Sequence, residues 1–193
     1  LHVRIRHIGV TVSDIGCIAD LLAKNNCDIL LHINSDVTKF TPSYGRISGF
    51  QDICREYNME HELIFRDLGN SYRKTVDCMQ EIFDYIKNKY PNKKKGLFMA
   101  NDTHANIMLN LIFREYGTLP DEYCIIGFDD SPIAEEAIIP ISTVGQQIEK
   151  IAYEAVSLLV EQMNERKKRR PKLQDRLIHK KITPILIRRE TTK

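Results

Sequence analysis

The stretch from Gly96 to Val144 constrains the fold more than any other. Two strand–helix units follow one another there, and both strands end in polar side chains. A short apolar run leads into Asn101-Asp102, a helical pattern continues to Gly117, and Pro120-Asp121 makes a turn. The run CIIGF then delivers Asp129 and Asp130 at its carboxyl end. Strand, helix, strand in this order is a parallel βαβ unit, so the polar residues gather at one edge of the sheet. In open α/β sheets that edge is where small ligands bind. The stretch points to recognition of a small polar molecule more than to catalysis.

The rest of the chain repeats the alternation. Ile8 to Val12 fits a strand, and Ser13-Asp14 suits the cap of a helix carrying Ile15, Ile18, Leu21 and Leu22. Asn25-Asn26 ends it, and Asp28 to Ile33 reads as a buried parallel strand. Pro42, Ser43 and Gly45 make 38–45 a loop, after which Ile47, Phe50, Ile53, Cys54 and Tyr57 mark one helix face. Glu62 to Phe65 suits a strand. Val76, Met79, Ile82, Phe83 and Ile86 define a helix that stops at Tyr90-Pro91-Asn92. Beyond Pro140 come a brief extended piece, Ser142 to Val144, and a long amphipathic helix from about Gln147 to Gln162. A basic connection over 166–171 and a last strand, Ile185 to Ile187, complete the reading. The fold class is α/β, with a doubly wound parallel sheet and flanking helices.

Composition excludes several alternatives. The 193 residues suffice for one large domain or two small lobes. A net charge of +2 carries no global nucleic-acid signal, and the basic run ending at Arg170 falls in a predicted connection. Five cysteines (Cys17, Cys27, Cys54, Cys78 and Cys124) are odd in number and form no CxxC pair, which argues for reduced thiols in the cytosol. No metal site and no cofactor is expected: HExxH, GxGxxG and the P-loop pattern are absent, and Glu60-His61-Glu62 alternates along a strand. No apolar run reaches the ~18 residues that span a membrane. No apolar segment of signal-peptide type follows Leu1-His2-Val3-Arg4. The start, without Met and almost directly in a strand, is expected to be that of a piece of something longer.

Six short motifs occur in a fixed order. They are Arg46-Ile47-Ser48-Gly49-Phe50, Asn101-Asp102-Thr103-His104-Ala105, and Gly127-Phe128-Asp129-Asp130. Then come Pro140 with Ser142-Thr143-Val144 and Gln146 or Gln147, Ala155 in a helix, and Leu186-Ile187-Arg188-Arg189-Glu190-Thr191-Thr192. Each alone is weak, but the ordered set, from about Val12 to Thr192, resembles the effector-binding core of the lactose repressor/galactose repressor (LacI/GalR) family of bacterial transcription regulators.

That resemblance implies a two-lobe, periplasmic-binding-protein-like fold of Rossmann-like sheets, with ligand between the lobes. It implies a chain that begins late in the first lobe, lacking roughly 80 residues of opening strands, the size of most of a lobe. The expected division is 1–27 as a partial first lobe, 28–144 as the second lobe, 145–165 as a helix of the first lobe, and 166–193 as a crossing with the second lobe's last strand. The second lobe is expected complete. Three departures stand out: Asn26-Cys27 where the family has Gly-His, Ser142 for the first Thr of Thr-Thr, and Leu68 where a ligand-stacking aromatic is usual, with Tyr72 nearby.

The residue chemistry fits this picture. The planar fork of Arg46 suits vicinal hydroxyls or a carboxylate, and the matching Arg of the family grips the effector; a surface ion pair is the competing reading. Asp129 can accept two sugar hydroxyls. Asn101 offers a donor and an acceptor. Asp102 and Asp130 are expected to cap the helices that follow them. Leu68, Tyr72 and His104 are secondary candidates for effector contact, although His104 reads more readily as solvent-exposed. No catalytic residue is expected: adjacent strand-end acids such as Asp129 and Asp130 point in different directions.

The expected function is therefore the sensing part of a cytoplasmic, homodimeric transcription regulator. It would bind a sugar-like effector and control DNA allosterically, through a head domain absent from this chain and with no membrane contact. The alternatives are an extracytoplasmic sugar-binding protein of a transport system, or the same sensor fused to another output.

Overall fold

The computed structural model describes residues 8–10, 16–35, 42–68, 71–167 and 180–192. The chain forms two compact units. The larger takes in 12–145 and 186–193, the smaller 1–11 and 146–185.

The larger unit is built on a six-stranded sheet. Its strands are β2 (Ile29–Asn34), β3 (His61–Phe65), β4 (Lys95–Met99), β5 (Tyr123–Asp129), β6 (Ser142–Gly145) and β8 (Ile185–Ile187), in the order β3-β2-β4-β5-β6-β8. The pairs β2–β3, β2–β4, β4–β5 and β5–β6 are parallel. The chain therefore winds outward from β2 to β3 and then returns to the other side of β2 with β4. Winding reverses between β2 and β4, and the crevice at the carboxyl ends of those two strands is the topological switch point.

Successive strand residues face opposite sides, so each strand feeds two cores. On one side Ile29, Leu31, Ile33, Leu97, Met99 and Ile125 pack under α3 (Tyr72–Lys89) and α4 (Asp102–Tyr116). On the other, Leu30, Phe98, Ile126 and Phe128 pack under α1 (Gly16–Lys24) and α2 (Pro42–Glu56). β4 is buried along its whole length, as parallel strands covered on both faces are. Even Lys95 is 1% exposed; its Nζ lies 4.7 Å from the centre of the Tyr123 ring and 3.4 Å from Glu122. Gly117 ends α4 in the left-handed conformation at φ 71°, as a glycine cap does.

Three boundaries differ from the sequence reading. Of the expected loop 38–45, residues 38–41 lie outside the described residues, and Pro42 to Gly45 is helix: Pro lacks only an N–H that the first turn leaves unpaired anyway. α1, expected in the first lobe with 1–27, belongs to the larger unit. Leu21 and Leu22 sit in its core, and Leu22 reaches 3.0 Å from where a Cβ on Gly96 would stand, so the helix side chains pack closely over β4. A strand was also missed. In the smaller unit β7 (Lys180–Ile182) pairs in parallel with β1 (Ile8–Val10).

The smaller unit adds α6 (Ile148–Lys167) to that strand pair. Leu158, Ile182 and Pro184 are buried in it. Tyr153, Val156, Leu159, Val160 and Met163 are exposed along α6. Of the basic connection, Arg166 and Lys167 extend α6, and the remainder lies outside the described residues.

Cys27, Cys54, Cys78 and Cys124 are thiols. Cys27 is raised far above the ordinary thiol range, first by its hydrogen bond with Cys124 and then by burial.

Candidate functional site

The switch-point edge of the larger unit brings the three principal candidates together. Arg46 stands one turn into α2, which follows β2. Its Nη1 donates to the carbonyl of Ala100 at 2.8 Å, at the end of β4. Its guanidinium carbon lies 4.3 Å from the centre of the Phe128 ring, at the end of β5. Carbonyl and ring thus fix the plane of the guanidinium. Burial lowers the Arg46 pKa, and the charge of Asp129 works against that by favouring the cation. A half-buried guanidinium beside a carboxylate, both at strand ends, can donate to and accept from the hydroxyls of one polyol.

Asn101 follows Ala100 directly. Its Oδ1 accepts from the His104 N–H at 2.9 Å, so Asn101 is the N-cap of α4. The expectation gave that cap to Asp102, and the structure corrects it. Asp102 is 1% exposed and turns the other way. Its Oδ2 accepts from Ser131 N at 2.7 Å and from Ser131 Oγ at 3.0 Å, and its Oδ1 accepts from Thr143 Oγ1 at 2.5 Å. Burial raises its pKa, against the lowering effect of those bonds.

Asp129 and Asp130 are both left-handed, at φ 107° and 54°. Such angles are costly for residues other than glycine and persist only where the surroundings hold them. Asp130 was expected to cap α5 (Pro132–Glu136), but Ser131 occupies the cap position. Asp130 instead pairs with Arg189 at 2.8 Å, and its N–H donates to Thr143 Oγ1 at 3.4 Å.

The secondary candidates divide. Leu68 is 4% exposed in the core around Ile64 and Met79, so it has no face on which a ligand could stack. Its neighbour Tyr72 is 71% exposed at the start of α3. His104, read as a solvent-side residue, is half-buried; its Nδ1 is enclosed without a hydrogen-bond partner, and burial lowers its pKa.

Sequence reasoning missed His32. It lies fully buried on β2, stacked on Phe98 with ring centres 4.5 Å apart and tilted against Phe50 at 5.4 Å. Its Nδ1 lies 3.0 Å from the Phe98 carbonyl, an acceptor, so Nδ1 carries the hydrogen and Nε2 is left to accept from Asn34 Nδ2 at 3.4 Å. Burial pushes its pKa down to about 4 from 6.5. The unfolded chain therefore takes up this proton first. His32 costs no stability above pH 6.5 and a growing amount as pH falls from 6.5 to about 4. The full cost is roughly 3 kcal/mol. Urea unfolding at pH 7 and pH 4.5 is expected to show the loss, and His32→Phe is expected to reduce the difference.

A separate hollow of about 190 Å³ opens at the amino edge of the sheet, lined by Asn25, Lys94, Tyr123, Cys124, Glu190 and Thr191 among others. Polar groups around it are engaged within the fold. Asn25 Nδ2 donates to the Leu21 carbonyl at 2.8 Å, and Thr191 Oγ1 to the Ile125 carbonyl at 2.7 Å. It lies at the opposite end of the strands from Arg46. Among the described residues no group of three His, Cys, Asp or Glu could hold a metal, and no helix is long and apolar enough to cross a membrane.

A parallel sheet wound in two directions, with an arginine, an amide and a carboxylate at its switch point, is an α/β arrangement suited to holding a small polar ligand. A family profile described as periplasmic binding protein-like domain matches residues 18–192, and the chain belongs to that family, as an effector-binding domain of the LacI/GalR type. Among curated proteins it is similar to the HTH-type transcriptional regulator CelR of Thermobifida fusca, 26% identical over 119 residues, which are 61% of this chain and 34% of that protein. It is also similar to the ribose operon repressor of Halalkalibacterium halodurans, 23% identical over 145 residues, 75% of this chain and 41% of that one. Among solved structures it resembles a periplasmic binding protein/LacI transcriptional regulator from Alkaliphilus metalliredigens complexed with D-xylulofuranose. The TM-score is 0.73 and the identity 26%, over 96% of this chain and 65% of that one. The matched stretch is thus less than half the length of either curated relative. Both are transcription regulators rather than enzymes.

Proposed function

We propose that this chain is the effector-sensing portion of a cytoplasmic, homodimeric bacterial transcription regulator. Its effector is a small sugar or sugar derivative held at the carboxyl edge of the six-stranded sheet. Arg46 donates to vicinal hydroxyls, Asp129 accepts from hydroxyls, and the Asn101 amide adds a donor. One observation carries the reading: the Arg46 guanidinium is fixed between the Ala100 carbonyl and the Phe128 ring, beside Asp129, at the switch point. The complex of a structural relative with D-xylulofuranose and the ribose repressor among the curated relatives support a sugar as the ligand.

DNA would be contacted by a head domain outside this chain. Ligand would act by binding two states of the regulator unequally, which is what allosteric control of an operator requires. The transport-protein alternative shares the fold, and the curated relatives named above argue for the regulator.

The test is calorimetric titration of the full reading frame with D-ribose, D-xylulose and cellobiose, alongside operator release followed by fluorescence anisotropy. Binding of one of them with a change in operator affinity is expected. Absence of binding by all three, with operator affinity unmoved, overturns the assignment.

A further inference from the structure

The paired left-handed residues Asp129 and Asp130 need something to hold them. Three polar contacts converge on this turn, and two of them lead to one buried side chain. Asp102 accepts from Ser131 N, the amide immediately beyond the turn, at 2.7 Å. It also accepts from Thr143 Oγ1 at 2.5 Å, and that same oxygen receives the Asp130 N–H at 3.4 Å. The third contact is the Arg189–Asp130 pair. Gly127, two residues before Asp129, makes room for the carboxylate: a Cβ there would stand 2.1 Å from Asp102 Oδ1.

We infer that Asp102 is a positioning residue for the ligand site. From the start of α4 its carboxylate anchors the turn after β5, through Ser131 directly and through Thr143 to Asp130, and so sets where Asp129 stands. This rests on reading Asp129 as a ligand contact, but the anchoring itself is measurable without any ligand. A carboxylate is suited to the task because it accepts on both oxygens and has no hydrogen to misdirect. Asparagine has the same shape, but its NH2 would face either the Thr143 oxygen or the Ser131 donors.

The experiment is Asp102→Asn followed by backbone amide hydrogen exchange and by the NMR signals of Asp129. Exchange at Asp130 and Ser131 is expected to speed up at least about tenfold, the effect of losing one charge-assisted bond, while Met108 to Leu111 in α4 keep their protection. The Asp129 backbone and carboxyl resonances are expected to move. Unchanged exchange and unchanged Asp129 signals overturn the inference. Should Asp102→Asn lose protection throughout, Thr143→Val decides. It removes the relay to Asp130 while keeping the buried shape, and a local loss at Asp130 supports the anchor whereas an unchanged rate refutes it. Because no sugar enters these measurements, failure of the sugar titrations and failure of the anchor give separate results.

Discussion

Gly127→Ala is expected to destabilise the larger unit by about 4 kcal/mol, more than an ordinary core substitution. The added Cβ would stand 2.1 Å from Asp102 Oδ1 and 3.2 Å from the Asp102 Cα. A side-chain rotation can answer the first contact but not the second, because the backbone at the start of α4 is itself close. The carboxylate would have to leave, and the Ser131 and Thr143 donors would lose their acceptor. Thr143 is fully buried and Ser131 half-buried. Overpacking of this kind costs ~1–3 kcal/mol and each orphaned buried donor ~1–3 kcal/mol. The melting temperature should drop by roughly 10 °C for a chain of this size. Urea unfolding and a thermal scan measure both, and a loss below about 1 kcal/mol would show that α4 yields without breaking the anchor.

The sheet was legible because parallel strands covered on both faces read as short apolar runs, and CIIGF, GLFM and ILLHI are such runs. β7 was not legible. Lys180-Lys181-Ile182 has no apolar run, and its partner β1 lies at the far end of the sequence, so only the folded chain reveals the pairing. Pro42-Ser43 read as a loop because proline and serine favour turns and helix starts alike, and local sequence does not separate the two. At the site, Arg46, Asn101 and Asp129 were visible through their ordered motifs. The cap that Asn101 takes was given to Asp102 because adjacent residues at a helix start compete for one cap, and the winner depends on where the other can go. Asp102 goes to Ser131 and Thr143, which are 29 and 41 residues further along the chain. The Thr191-Thr192 ending was seen as a motif with no cause. Thr191 Oγ1 accepts from Ser142 N at 2.9 Å, and Thr192 Oγ1 lies 2.6 Å from Ser142 Oγ, which fastens the end of the chain to β6. His32 passed unnoticed within ILLHI because its partners, Phe50 and Phe98, arrive from other elements.

Arg46→Ala in the full regulator is expected to weaken its sugar at least about a hundredfold, the scale of removing a two-pronged, charge-assisted donor from a partly dry site. The reasoning starts from what the guanidinium already does. One donor goes to the Ala100 carbonyl and its face rests on Phe128. These contacts leave the fork pre-oriented, so little side-chain entropy is lost when hydroxyls arrive. Arg46→Lys keeps the charge but loses both the planar stack and the second prong, so it is expected to lose about tenfold or more rather than to behave as a conservative change. The fold should survive: the lost hydrogen bond and cation–π contact cost about 1–2 kcal/mol together, well below the effect at Gly127. Calorimetry with the sugar that binds the unaltered regulator gives the affinities, and a melting curve of each variant separates binding from folding. Under the linkage proposed between sugar and DNA, operator release should shift to correspondingly higher sugar concentration. An Arg46→Ala protein that binds its sugar within about threefold of the unaltered regulator would place the effector somewhere other than the switch point, since no intact two-pronged contact is that weak.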